Sequence, residues 1–216
     1  MLNFKNITTN EKKPYLNNLN LHIKIGEITI LNYKSDIEKN KLIDLICQLE
    51  TPKSGELFID GKNILNSKKR LKVIQKKIGV CYGDFKLIES KNVLNNIIFP
   101  LEIYTPSSKD ELIKIGENTL KTFGLYNKKE FPLSKLTLEE KQRLNIARTM
   151  ILDPDLIILD NPDRYIENNK IDNLMNYFIE LNKIGKTILI FTNNKKIESK
   201  ISGNKYLLEK GAISNV

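Results

Sequence analysis

The sequence contains few residues of the kinds that form covalent or titratable frameworks. Its two cysteines, Cys47 and Cys81, lie far apart in apolar stretches, so neither a CxxC pair nor a disulfide framework is indicated. The two thiols fit a reducing compartment. The one histidine, His22, lies in the strand-like stretch LNLHIKI, where we expect a structural role.

Long hydrophobic runs are also missing. No stretch approaches the roughly 18 apolar residues that cross a bilayer, and the beginning, MLNFKNITTN, lacks the charged and apolar segments of a secretory leader. We therefore expect a cytoplasmic protein that reaches the membrane only through a partner. With 216 residues, 40% of them hydrophobic, the chain can bury a full core, and one domain over residues 1–216 is predicted.

Arginine is scarce in a chain whose formal net charge is +9. Only Arg70, Arg143, Arg148 and Arg164 are present, although the bidentate contacts that read phosphate and guanine favour arginine. The positive charge comes mainly from lysines spread over the whole sequence, which is typical of a solvated surface. A nucleic-acid partner is therefore disfavoured, and it would rest on charge alone.

Short apolar runs alternate with helical patterns, as in a sheet covered by helices. The clearest strands are residues 56–60, 77–83, 156–160 and 187–192. LIILD and TILIFT are almost continuously apolar, so we expect them to lie side by side as buried parallel strands. A helix is predicted over 108–123 with Ser108 as N-cap, another from Leu138 to Asp153, and a small hairpin around Lys210 and Gly211.

Four separated stretches resemble ABC-type nucleotide-binding domains in order and spacing. They are residues 52–64, 78–104, 138–163 and 207–213, so the similarity covers nearly the whole chain. The stretch GDFKLIESKNVLNNIIFPLEIY resembles that of the FtsE group, to which the LolD and MacB ATPases are close. The resemblance implies an α/β, P-loop NTPase-like fold. It has a mostly parallel central sheet, an N-terminal antiparallel β subdomain and a helical subdomain at about 88–152.

The phosphate loop of this family, GxxxxGK[ST], is expected after the strand 27–32, but the aligned residues read YKSDIEKNK, from Tyr33 to Lys41. No glycine occurs between Gly26 and Gly55, although such a loop needs backbone conformations that favour glycine. The resemblance aligns Lys39 with the lysine that contacts phosphate and Asn40 with the hydroxyl residue that ligates Mg²⁺. Lys41 is a further candidate for binding ATP.

Other positions that handle ATP in the family have changed as well. Gly83 replaces the family's glutamine that senses Mg²⁺. Asn161 replaces the glutamate that acts as general base, and Asn193 replaces the switch histidine. Asp160 is retained and aligns with the carboxylate that holds Mg²⁺-bound water. The signature LSGGE, which holds phosphate across a dimer, reads Leu136 to Glu140. The aromatic residue that stacks on adenine in the family aligns near Thr9 and Asn10, neither of which is aromatic. Tyr15 is the candidate substitute.

The stretch from Asp84 to Leu87, with NVLNNIIFPLEIY after it, aligns with the family's docking surface for the membrane subunit. Partner surface and fold thus look retained while the chemistry looks lost. The first hypothesis is a degenerate, FtsE-like scaffold that pairs with an FtsX-like membrane protein in cell division, as a homodimer or beside an intact ABC subunit. The alternative is a slow ATPase subunit of an export or lipoprotein-release system, which uses ATP and Mg²⁺ through Lys39 and Asp160.

Overall fold

The chain forms two sheets with helices packed between and beside them. The structure is a computed structural model that describes residues 1–65 and 71–215, with the backbone alone for 71–73. The strands are β1 (Leu2–Thr8), β2 (Leu19–Ile23), β3 (Ile28–Tyr33), β4 (Ser54–Ile59), β5 (Lys62–Asn63), β6 (Ile78–Cys81), β7 (Leu156–Asp160), β8 (Thr187–Phe191), β9 (Asn204–Glu209) and β10 (Ala212–Asn215).

The helices alternate with groups of these strands along the chain. They are α1 (Asp36–Ile46), α2 (Leu71–Lys76), α3 (Val93–Tyr104), α4 (Lys109–Thr122), α5 (Leu138–Met150), α6 (Ile171–Lys183) and α7 (Lys195–Lys200). No helix within the described residues is long and apolar enough to cross a membrane.

The larger sheet has the order β10-β9-β3-β8-β7-β6 and is parallel except for its edge strand β10. Strands β7 and β8 pair directly, and all five residues of each are buried, which confirms the prediction from LIILD and TILIFT. The four-stranded sheet β2-β1-β4-β5 is antiparallel. The predicted α/β class, with one parallel and one antiparallel sheet, is confirmed.

Local signals fixed several helix ends as expected. Helix α4 begins after Ser108, whose hydroxyl accepts from the Glu111 N–H while the Glu111 carboxylate accepts from the Ser108 N–H. The helix predicted from Leu138 to Asp153 begins at Leu138 but ends at Met150, three residues before Asp153. Strands β9 and β10 form the hairpin around Lys210 and Gly211.

Helices α3, α4 and α5 follow β6 and precede β7 along the chain. They surround a cluster of buried side chains that includes Val93, Ile97, Leu120 and Leu144. The predicted helical subdomain at about 88–152 covers these three helices. A second cluster fills the space between the larger sheet and α6, and a third joins the two sheets through α1. These clusters hold the carboxyl ends of β3, β8, β7 and β6 at one edge, where open α/β sheets bind ligands.

Candidate functional site

The connection between β3 and α1 is only two residues long. Strand β3 ends at Tyr33, and α1 begins at Asp36 after Lys34 and Ser35. The Ser35 hydroxyl caps the helix by accepting from the Glu38 N–H. None of residues 33–41, all of them described, has a positive φ.

The structure therefore places helix where the alignment predicts a phosphate loop. The physical reason lies in the residues themselves. Without glycine, the backbone has no residue that readily adopts the left-handed conformations of such a loop. Serine followed by acidic residues instead favours a helix N-terminus, because carboxylates there complement the helix dipole.

Lys39 lies in the second turn of α1 and points into the carboxyl edge of the sheet. Its ammonium group is 2.7 Å from Asp160 Oδ1 at the end of β7 and 3.0 Å from Asp36 Oδ1 one turn earlier. The ammonium also lies 4.9 Å from the centre of the Tyr33 ring. Burial opposes the charged form of Lys39, but the hydrogen bond to Asp160 and that carboxylate's charge outweigh it, so the pKa of Lys39 is raised.

Asp160 accepts three hydrogen bonds from within the chain. Its Oδ1 accepts from Lys39 and, at 2.8 Å, from the Asn161 amide, and its Oδ2 accepts from the Gly83 N–H at 3.2 Å. A Cβ atom at position 83 would lie 3.1 Å from Asp160 Oδ2, closer than ordinary contact. The absence of a side chain at Gly83 thus allows its backbone to approach this carboxylate.

Asn161 and Asn193 both form hydrogen bonds with Tyr33. The Asn161 amide donates to the Tyr33 hydroxyl at 2.7 Å. The Asn193 side chain accepts from the Tyr33 N–H at 3.2 Å and donates to the Tyr33 carbonyl at 3.0 Å, much as a paired strand residue would. Burial raises the pKa of the Tyr33 hydroxyl, which keeps it protonated. The two asparagines therefore tie the ends of β7 and β8 to the end of β3.

These residues line a cavity of about 710 Å³ whose charge is opposite to that of the whole chain. Its walls carry the carboxylates of Asp36, Asp44, Asp84, Asp160 and Asp163 but only three cations, on Lys39, Lys86 and Arg164. The formal net charge of the protein is +9. The local excess of carboxylates repels a polyanion such as a nucleoside triphosphate.

The predicted site residues divide into two groups. Lys39, Asn40, Asp160, Asn161 and Asn193 line the cavity, and Gly83 contacts Asp160 beside it. Lys41 lies outside, with its ammonium 2.6 Å from Glu50 and 3.0 Å from Glu11. Tyr15 is also outside the cavity walls and is 38% exposed.

The signature-aligned residues begin helix α5. Thr137 caps the helix, since its hydroxyl accepts from the Glu140 N–H and its own N–H donates to the Glu140 carboxylate. Glu139 accepts from Lys170 at 3.0 Å, and Glu140 lies 2.6 Å from Lys128. Side chains of this chain thus accept hydrogen bonds from N–H groups at the helix N-terminus that the family presents to phosphate.

Reasoning from the sequence missed Tyr33 and the pair formed by Asp163 and Asn194. Asn194 donates to the Asp163 carboxylate across the ends of β7 and β8. Tyr33 could have been noticed, because it occupies the position of the first loop glycine and is the one aromatic residue in YKSDIEKNK. Asp163 carries no signal until the strand order brings it to the same cavity as Asp36.

Comparison with known proteins assigns the chain to a family. The family model described as ABC transporter matches residues 16–164. The chain belongs to the ABC transporter family. A dimeric ATP-binding cassette bound to ADP and Pi superposes with a TM-score of 0.90 at 26% identity, covering 100% of this chain and 98% of that one. A second structure of the same cassette, described as a dimeric bacterial ABC transporter cassette, gives a TM-score of 0.91 at 26% identity and covers 100% of this chain and 97% of that one.

FtsE and MetN proteins are among the curated relatives of this ABC chain. The cell division ATP-binding protein FtsE of Haemophilus influenzae is 29% identical over 198 residues, which is 90% of each chain. FtsE of Escherichia coli is also 29% identical, over 91% of this chain and 88% of that protein. The methionine import ATP-binding protein MetN of Carboxydothermus hydrogenoformans is 30% identical over 204 residues, but the chain spans only 60% of its length.

Proposed function

We propose that this ABC cassette is an FtsE-like subunit that supports a membrane protein as a scaffold without an effective ATP-hydrolysis cycle. The observation that carries the proposal is that the Asp160 carboxylate is satisfied by Lys39, Asn161 and Gly83. In the cassettes it resembles, this carboxylate serves Mg²⁺ and the neighbouring residue serves as base. Here the neighbour is an amide, which cannot take a proton from water.

The residues present do not fit Mg·ATP in the way the family holds it. A helix and a two-residue connection replace the loop whose N–H groups would surround phosphate. The cavity carries more carboxylates than cations. Asn40 is exposed and offers only an amide oxygen.

The partner surface supports the scaffold role. Beside the cavity, a groove of about 290 Å³ runs between α1, β6, α3 and α5, and its walls include Leu49, Tyr82, Pro100 and Tyr104. Leu49 is 66% exposed although it is a large apolar residue. We infer that this groove receives a cytoplasmic segment of an FtsX-like membrane protein, which would place the chain at the inner face of the membrane.

Nucleotide handling is tested by calorimetric titration with Mg·ATP, followed by phosphate release with and without the membrane partner. We expect no micromolar affinity and no release above background. Micromolar binding together with turnover that Asp160→Asn abolishes would overturn the scaffold proposal. It would favour the second candidate, a slow ATP-hydrolysing transporter subunit, to which the 30% identity with MetN and the retained Lys39 and Asp160 point.

The partner groove is tested by co-purification with an FtsX-like membrane protein. Leu49→Glu is expected to reduce recovery at least tenfold, because it buries a charge in an apolar contact. Ile184→Glu is the matched control, since Ile184 is 73% exposed and lies outside the groove. Equal recovery of both variants would contradict the assignment of this surface. Light scattering on the same preparations shows whether the chain forms a homodimer, as the similar cassettes do, or needs an intact ABC subunit.

A further inference from the structure

The Lys39 side chain is a buried cation held by two carboxylates. Only 5% of the side chain is exposed, and the exposed fraction of Asp160 is 8%. Since burying a lone ammonium group is costly, the position of Lys39 depends on Asp160 at 2.7 Å and Asp36 at 3.0 Å. Two carboxylate oxygens within 3.0 Å of one point form the kind of environment that also attracts a divalent cation.

The backbone fixes the ammonium group at that point. Asp36 and Lys39 are three residues apart on α1, so they face the same side of the helix. Helix α1 in turn packs its buried face, with Leu42, Ile43 and Ile46, into the cluster shared by the two sheets. The lysine is therefore positioned by the fold rather than by a mobile loop.

The neighbouring substitutions remove the room and the ligands that a metal would need. Asn161 directs an N–H, not an oxygen, at Asp160 Oδ1. The Gly83 N–H occupies Oδ2, and position 83 carries no side chain that could donate an oxygen. An ammonium group and a divalent cation repel each other and cannot share Asp160 Oδ1.

We propose that the Lys39 ammonium is the resident cation of this site and takes the place that a divalent metal ion has in the ABC family. The protein then folds independently of Mg²⁺, and removal of the ammonium creates a divalent-cation site between Asp36 and Asp160. The inference rests on the proposed function only for the assignment of Asp160 as the metal-associated carboxylate.

The test compares thermal unfolding of the full chain in EDTA and in 10 mM MnCl₂. The wild-type midpoint is expected to be the same in both. Lys39→Ala is expected to unfold at a lower temperature in EDTA and to gain about 3–5 °C with Mn²⁺, as for a site occupied at about ten times its Kd. The double variant Lys39→Ala/Asp160→Asn is expected to lose that gain. Lys183→Ala, which removes an exposed lysine paired with Glu180, is the control for net charge.

A direct measurement covers the case in which Lys39→Ala does not fold. Electron paramagnetic resonance of free Mn²⁺ titrated with the wild-type protein, without ATP, is expected to show no binding tighter than about 1 mM. Binding at or below about 100 μM that Asp160→Asn abolishes would overturn the inference. So would a folded Lys39→Ala variant that gains no stability from Mn²⁺. Neither result requires ATP turnover, so failure of this inference is distinguishable from failure of the scaffold proposal.

Discussion

Helices α1 and α5 begin at the two places where the ABC family holds phosphate. In this chain the two helix N-termini carry the same kinds of residues, but their ion pairs differ in solvent exposure. In both, a hydroxyl residue caps the helix and carboxylates follow in the first turn: Ser35 before Asp36, and Thr137 before Glu139 and Glu140. Each first turn is then paired with a lysine of the same chain.

The difference lies in solvent exposure. The pair of Lys39 and Asp160 is 5% and 8% exposed, whereas Lys170 is 46% exposed and Glu139 21%. Breaking a buried pair leaves an uncompensated charge and costs about 3–5 kcal/mol, while exposed pairs contribute about 0–1 kcal/mol. The buried pair of Lys39 and Asp160 at the N-terminus of α1 is thus part of the protein's stability, whereas the ion pairs at the N-terminus of α5 are only partly buried.

The largest effect is expected from Asp160→Ala. It leaves the buried Lys39 ammonium with only the exposed Asp36, so the free energy of unfolding in urea should fall by about 3 kcal/mol. Asp155→Ala is the matched control, since Asp155 is 50% exposed and pairs with Lys77, and it should cost under about 1 kcal/mol. A similar cost for both variants would show that burial does not distinguish the sites.

Restoring the family's base with Asn161→Glu should destabilise the protein by about 2 kcal/mol. The new carboxylate would replace an N–H that lies 2.8 Å from Asp160 Oδ1. Asn161 also has a φ of 45°, a left-handed conformation that asparagine tolerates better than glutamate.

Asn161→Gln separates the two causes, because it changes the backbone preference but keeps an amide. If Asn161→Glu is no less stable than Asn161→Gln in urea unfolding, repulsion by Asp160 contributes nothing.

At the N-terminus of α5, Glu140→Gln should cost about 1 kcal/mol at pH 7 and progressively less in acid. The hydrogen bond from Lys128 and the cap at Thr137 outweigh partial burial and lower the pKa of Glu140 below its ordinary value of 4.5. A lowered pKa in the folded state gives stability that is present above pH 4.5 and lost as the pH falls through the folded-state value. Unfolding midpoints of both proteins between pH 7 and 3 should therefore converge, and a constant difference would argue against this carboxylate.

The smallest change is expected for Glu139→Gln. Its partner Lys170 is nearly half exposed and also lies 3.2 Å from Glu167, so the pair should contribute less than about 0.5 kcal/mol. Urea unfolding at low and moderate salt measures it. A cost above about 1 kcal/mol would place α5 in the same class as α1 and remove the contrast between them.

Local sequence was a reliable guide wherever a short-range signal decides the structure. The apolar runs at 156–160 and 187–192 predicted buried neighbouring strands, and the Ser108 and Thr137 regions start helices as their capping residues indicate. The site was predicted only in part. Lys41 lies two residues after Lys39 on α1 and therefore on another face, where it contacts Glu11 and Glu50. Which of the two lysines faces the site depends on what α1 packs against.

The sequence by itself determined the fold family, the order of the elements and the absence of glycine from the segment 33–41. That absence removed the phosphate loop, because a glycine-free backbone with an N-capping serine forms a helix. Only the tertiary structure decided what replaced the lost contacts. Lys39 and Asp160 are 121 residues apart, and they meet because the strand order brings the ends of β3, β8 and β7 to one edge. Charges that distant in sequence meet only when the fold brings them together, and here the fold also removes both of them from water.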